Sequence, residues 1–151
     1  MKILLPLILA FSALLFFSGC VSGNSSGSVT ASTGDDTAVK IPASQISSQA
    51  KWFEYNSGGA TIRFIAVKAS DGTIRTAFDA CDVCYAKKKG YRQEGNYLVC
   101  NNCGNRYAID SIGTENRNPG GCWPSYLPSK VENGNLVLQK SDLEKGRGKF
   151  L

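Results

Sequence analysis

Histidine is missing from all 151 residues of the chain. Without it there is no Ser-His-Asp or Cys-His nucleophile system, because the usual base is absent. A C-x-x-C-H haem attachment, a two-histidine iron–sulfur centre and a His-containing zinc site are excluded with it. Any metal must rest mainly on thiolate. A sustained 3.6-residue apolar repeat is also lacking beyond the N-terminal segment, so long helices are not expected. Charge is thin: 17 Lys and Arg face 12 Asp and Glu, a net charge of +5. An excess this diffuse suits docking to an acidic partner or surface. It does not argue for nucleic acid, which is not expected as a partner.

What is present falls into three parts. Lys2 is the only charge before an apolar run over residues 3–17, too short and too thinly flanked for a membrane span. The run ends in Phe17-Ser18-Gly19-Cys20, similar to the lipobox of secreted lipoproteins, with Phe17 where Leu is more usual. Residues 1–20 are therefore expected to be a lipoprotein signal segment, and Cys20 the lipidated mature N-terminus, the alternatives being an ordinary signal peptide or an uncleaved anchor. Stable anchoring takes more than one acyl chain, which lipoproteins supply. Residues 21–49 read as a tether. In residues 21–37, 11 of 17 are Ser, Thr or Gly, too little apolar surface to offset chain entropy.

Residues 50–151 are the candidate domain, and its pattern is that of strands. Residues 60–68 are rich in β-branched and aromatic types. Asp71-Gly72 follows as a turn, and Ile74, Thr76 and Phe78 then alternate on one face. Glu94-Gly95 precedes Tyr97-Leu98-Val99, and Tyr107 and Ile109 share a face. Asn133-Gly134 separates Val131 from Leu136-Val137-Leu138 as a hairpin turn. Ser141 and Glu144 have the spacing of a capping box for one short helical turn. The expected fold is all-β, small, antiparallel and turn-rich, with a core modest enough for a staple to help.

The chain has six cysteines. Beyond Cys20, four make two pairs, Cys81-x-x-Cys84 and Cys100-x-x-Cys103, with fifteen residues between the pairs. Two residues between thiolates let one tight knuckle place both sulfurs on one metal. Backbone N–H groups of the knuckle then stabilise the sulfur charge. Gly104 stands where such a chain leaves with positive φ. The fifth, Cys122, lies in Gly120-Gly121-Cys122-Trp123-Pro124, a loop suited to close backbone approach over a metal site. Three readings stay open at this point. They are a structural zinc knuckle, an iron–sulfur cluster, and thiol or disulfide roles. No substrate pocket is legible, and a non-enzymatic carrier or accessory protein is expected rather than a standalone enzyme.

Several of these motifs carry a family resemblance. They are Phe78-Asp79-Ala80-Cys81-Asp82-Val83-Cys84-Tyr85, Lys89-Gly90-Tyr91, Val99-Cys100-Asn101-Asn102-Cys103-Gly104, Ile109 with Ile112-Gly113, and Gly120-Gly121-Cys122. Together they resemble the FtrD-like family of membrane iron–sulfur proteins, linked to iron uptake. The resemblance implies electron transfer beside a cupredoxin-like protein and a permease. Many members carry the domain after several membrane helices, whereas here only the extracytoplasmic domain is expected, held to the membrane by lipid. Trp123 stands where the family more often has a small polar residue.

A remoter resemblance concerns fold. Residues 63–67, Asp71-Gly72, residues 76–79 and Cys81 follow the order of a Rieske domain up to its first ligand loop. Cys100, Cys103, Gly104 and residues 107–110 resemble the second ligand loop. Residues 120–124, Leu127-Pro128 and residues 131–138 resemble the proline loop and closing hairpin. Cys84 and Cys103 stand at or near the histidine positions, which implies a Rieske-like or rubredoxin-like domain with an all-thiolate site. Cys81, Cys84, Cys100 and Cys103 would ligate, with Cys122 on the capping loop as a spare ligand or a neighbouring thiol. Such a site is expected to have a low potential and little pH dependence, since no imidazole titrates. Asp79 and Asp82 would tune the site by charge or lie as solvated loop residues. Tyr85, Tyr107 and Trp123 would shield it or simply pack the core. Lys87-Lys88-Lys89 would dock an acidic redox partner or form a solvated turn.

Overall fold

The protein is described by a computed structural model, which covers residues 27–28, 37–117 and 120–151. The signal segment, Cys20 and most of the expected tether lie outside the described residues.

The fold is organised by one strand, β4 (Ala60–Lys68), whose sequence is apolar on both faces. Successive side chains of a strand point to opposite sides. Ile62, Phe64 and Ala66 therefore enter one core, while Ile65 and Val67 enter another on the opposite face. A strand buried on both faces reads as a near-continuous apolar run, which is what residues 60–68 show. β4 pairs antiparallel with β3 (Lys51–Ser57) and with β5 (Ile74–Phe78). The short β1 (Gly27–Ser28) adds to β3 in parallel.

The first core is closed by a second sheet. β10 (Asn135–Gln139) lies between β2 (Ala38–Pro42) and β9 (Lys130–Glu132), antiparallel to both. Leu136 and Leu138 oppose Ile41 and Val39, and all four pack with Phe64, Phe53 and Phe78. Phe53 and Phe64 stack with ring centroids 5.4 Å apart. Each such fully buried side chain contributes about 1.5–3 kcal/mol by leaving water. The Asn133-Gly134 turn joining β9 and β10 has φ of +48° and +75°, the pair of left-handed residues a two-residue hairpin needs.

The second core is closed by a third sheet, with β7 (Tyr97–Cys100) between β6 (Tyr91–Glu94) and β8 (Arg106–Ala108). Leu98, Tyr91, Tyr107 and Ile109 pack there against Ile65 and Val67. This core also holds Cys81 and Cys100, so the thiol site sits between the central sheet and the third sheet.

The architecture is the expected all-β one, with three small sheets and little helix. Three local expectations change. β2 lies inside the stretch read as tether: Val39, Ile41 and Ile46 are core residues, and the packed unit begins by Ala38. Only β10 makes that segment a strand, so its short apolar run carries little signal alone. The strand at Tyr107 ends at Ala108, and Ile109–Ser111 turns as a single 3₁₀ turn. The capping box is not made. Helix α1 (Lys140–Lys145) starts one residue before Ser141, with Gln139 at the cap and no side-chain cap bond. β10 runs directly into the helix, and the Lys140 N–H is taken by the Thr37 carbonyl at 2.9 Å.

Candidate metal centre

Each C-x-x-C pair leaves a β-strand and forms a knuckle. Cys81 follows β5, and the backbone N–H of Cys84 donates to the Cys81 sulfur at 2.9 Å. Burial pushes the Cys81 thiol up, but the Cys84 and Val83 N–H groups outweigh it and leave the group below its ordinary value. Cys100 ends β7, and burial holds its thiol up although the Cys103 and Asn102 N–H groups draw it down. The Asn105 N–H lowers Cys103. Gly104 has φ of +77°, as expected of the exit from a knuckle, and its N–H returns to the Cys100 carbonyl at 2.9 Å.

The third contributor is the loop over residues 120–127, laid along β5 by two backbone bonds. Phe78 N–H donates to the Ser125 carbonyl, and Ser125 N–H to the Ala80 carbonyl, both at 2.8 Å. Gly120 and Gly121 take φ of +116° and +73°. No atom lies within 4 Å of where a Cβ would stand at either. Both are left-handed conformations that glycine adopts without strain. This loop brings Cys122 within 3.5 Å of the Cys84 sulfur.

Five sulfurs consequently meet. Cys81, Cys84 and Cys122 lie within 4.8 Å of one another, as do Cys84, Cys100 and Cys103, with Cys84 common to both groups. Cys81 and Cys100 are buried, Cys84 and Cys122 half-buried, and Cys103 exposed. Burial and the neighbouring Cys84 thiol push Cys122 far up. Asn102 Nδ2 donates to the Cys84 sulfur at 3.4 Å. Five convergent soft donors, with N–H groups aimed at sulfur and no carboxylate or imidazole among them, suit thiolate-bound iron or zinc. Cys20 lies outside the described residues.

The surrounding groups differ from expectation in three places. Asp79 is not a solvated loop residue. It is buried, accepts the Tyr91 N–H at 2.7 Å, and lies 3.4 Å from Arg63. Burial raises its carboxyl, while those two partners pull it back. Asp82 is likewise engaged. It accepts the Gly120 N–H at 2.6 Å and Ser125 Oγ at 3.4 Å, and pairs with Lys149. The Lys149 hydrogen bond holds its carboxyl below the ordinary range, and Asp82 thereby ties the Cys122 loop to the first knuckle. Tyr85 is not packed in the core, though it lines the same cleft as Cys81, Cys84 and Cys100. It is 41% exposed, with Lys149 over its ring.

Tyr107 and Trp123 do pack beside the site, their rings 4.5 Å apart. Burial raises the Tyr107 hydroxyl to about 12. Tyr91 continues the row at 6.3 Å from Tyr107, and its hydroxyl donates to the Cys122 carbonyl at 2.6 Å. Asn116 escaped sequence reasoning altogether. It is buried, accepts the Gly113 N–H at 2.6 Å and donates to the Pro124 carbonyl at 2.7 Å. No local signal marks an asparagine that clamps two loops.

A family model described as membrane iron–sulfur containing protein FtrD-like matches residues 29–150. The chain belongs to this family. The match covers all five clustered cysteines and agrees with the resemblance read from their motifs. No curated protein matches the chain. Among the described residues of this FtrD-like chain, no helix is long and apolar enough to cross a membrane.

Proposed function

We propose that this FtrD-like protein is an extracytoplasmic electron-transfer protein, anchored by lipid on Cys20, that serves a metal-uptake system. The observation that carries the reading is the convergence of five thiols from three separate segments in a family of iron–sulfur proteins. A bound iron–sulfur cluster supplies one-electron chemistry. Cys81, Cys84, Cys100, Cys103 and Cys122 would hold it. The knuckle N–H groups offset negative charge on the sulfurs. The Tyr91, Tyr107 and Trp123 row keeps water from one side, and Asp82 and Asn116 hold the capping loop in place. The implied cupredoxin-like protein or permease would be the partner in uptake.

The test is anaerobic purification followed by a visible spectrum with iron, sulfide and zinc analysis. A brown protein containing iron and acid-labile sulfide is expected. A colourless protein with one zinc would overturn the reading and leave a structural zinc-ribbon binding module. Metal-free protein with five titratable thiols beyond Cys20 would leave a thiol-based metal carrier. For the anchor, Cys20→Ser is expected to move the protein from the membrane fraction to the soluble one.

A further inference from the structure

The thiol cluster is buried on one side and open on the other. Cys81 and Cys100 are 1% and 2% exposed, whereas Cys103 is exposed, as are residues 85–89 and 101–106 on the two knuckle loops. Electron transfer weakens steeply with distance, so this edge is where a redox centre held by these thiols comes nearest to a partner.

The chemistry of that edge is specific. Val83, between the first two cysteines, is 62% exposed, and Tyr85 follows it at 41%. Lys87, Lys88 and Lys89 come next, all exposed, and among the described residues they form no ion pair. Most carboxylates around them are already used, the exception being the exposed Glu54 on the wall of the cleft they share. Asp79 is buried against Arg63, Asp82 is held by Lys149, and Glu94 is shared by Arg92 and Arg106 at 2.6 and 3.0 Å. A cleft of about 300 Å³ opens on the same face. Lys88, Lys89, Arg63 and Lys149 reach its wall together with Cys84 and Cys100. An apolar centre, a cationic rim in which the three lysines are unpaired among the described residues while Arg63 and Lys149 hold Asp79 and Asp82, and sulfur beneath make up the face.

We propose that this face docks the redox partner, and that the partner is an acidic protein with carboxylates around its own redox centre. The proposal rests on the electron-transfer reading and adds the partner's chemistry. In the step, one electron leaves the reduced centre and reduces the partner's metal by one unit, with no bond made or broken and no proton moved. A small apolar contact with opposed charges suits a transient complex, whose formation the charges speed.

The test uses the full chain, metal-loaded, reduced with dithionite and freed of excess reductant. Two ferric acceptors of one haem type are compared by stopped flow, native basic cytochrome c and the same protein succinylated to an acidic surface. The succinylated form is expected to be reduced about tenfold faster at low salt, with the advantage vanishing at high salt. Lys87→Glu/Lys89→Glu should abolish that preference and leave the visible spectrum unchanged. Lys68→Glu/Lys130→Glu, an equal charge change on residues of a cleft that no cysteine lines, should preserve it. A protein that dithionite does not bleach removes the electron-transfer reading and this proposal with it. A protein that bleaches but reduces both acceptors alike, or whose preference survives Lys87→Glu/Lys89→Glu, overturns the docking proposal alone. So does unchanged kinetics in that variant with lost binding to phosphatidylglycerol vesicles, which would make the face a membrane contact.

Discussion

Gly90 offers a controlled test of how the first knuckle is supported. It has φ of +61°, and a Cβ there would collide with both carboxylate oxygens of Asp79. Alanine in the left-handed conformation costs about 1 kcal/mol. Displacing the carboxylate also breaks its 2.7 Å bond from the Tyr91 N–H. A hydrogen bond to a charged acceptor is worth about 2 kcal/mol. Gly90→Ala should therefore destabilise the fold by about 3 kcal/mol, a large share of the roughly 5–15 kcal/mol that holds a domain. Gly95 is the control: its φ is +57°, but no atom lies within 4 Å of a Cβ there. Gly95→Ala should cost only about 1 kcal/mol. Urea unfolding at fixed metal loading separates the two. At a slope of about 1.5 kcal/mol/M, the midpoint should fall by about 2 M for Gly90→Ala and by under about 1 M for Gly95→Ala. In an Asp79→Ala background the excess should vanish, because the colliding group is gone. Equal midpoints for the two single variants would refute the account of Asp79 as the wall against which Gly90 is packed.

Other outcomes follow from the same geometry. Phe64 is fully buried and stacked on Phe53, so Phe64→Ala should cost about 4 kcal/mol in urea unfolding, and a loss below about 2 kcal/mol would remove it from the core. Tyr91→Phe removes the donor to the Cys122 carbonyl. It should cost about 1 kcal/mol and speed metal loss to a chelator, whereas Tyr97→Phe, at an exposed residue, should not speed that loss. Asp110 accepts Ser70 N–H and Oγ at 2.8 and 2.7 Å, and the Ser70 N–H, followed by its hydroxyl, holds the carboxyl below its ordinary 3.8. A carboxyl lowered in the folded state adds stability above its unfolded value and loses it as pH falls through the folded one. The melting-temperature gap between wild type and Asp110→Asn should thus narrow below about pH 4, and a constant gap down to pH 2 would contradict this.

Legibility followed the range of each interaction. The knuckles were readable because two intervening residues, and for the second pair the exit glycine Gly104, act within a few peptide units. The hairpin turn at Asn133-Gly134 was readable for the same reason, its two positive φ values being a local demand. β4 declared itself by an apolar run that only a strand covered on both faces keeps. β2 did not, since its burial is made by β10, almost a hundred residues away in the chain. Asp79 read as a loop residue because what decides its state is Gly90, Tyr91 and Arg63 folding over it.

Taken alone, the amino-acid order determined the donor chemistry of the site: no imidazole, four thiols in two local pairs, and an all-β frame. The tertiary structure decided which thiols meet. Cys122 joins Cys84 because Asp82, Asn116, the Tyr91 hydroxyl and two backbone bonds hold its loop beside β5. The same packing leaves Cys103 and the three lysines facing outward. Spacing acts through the stiffness of a few peptide bonds, whereas that meeting depends on contacts between segments far apart in sequence.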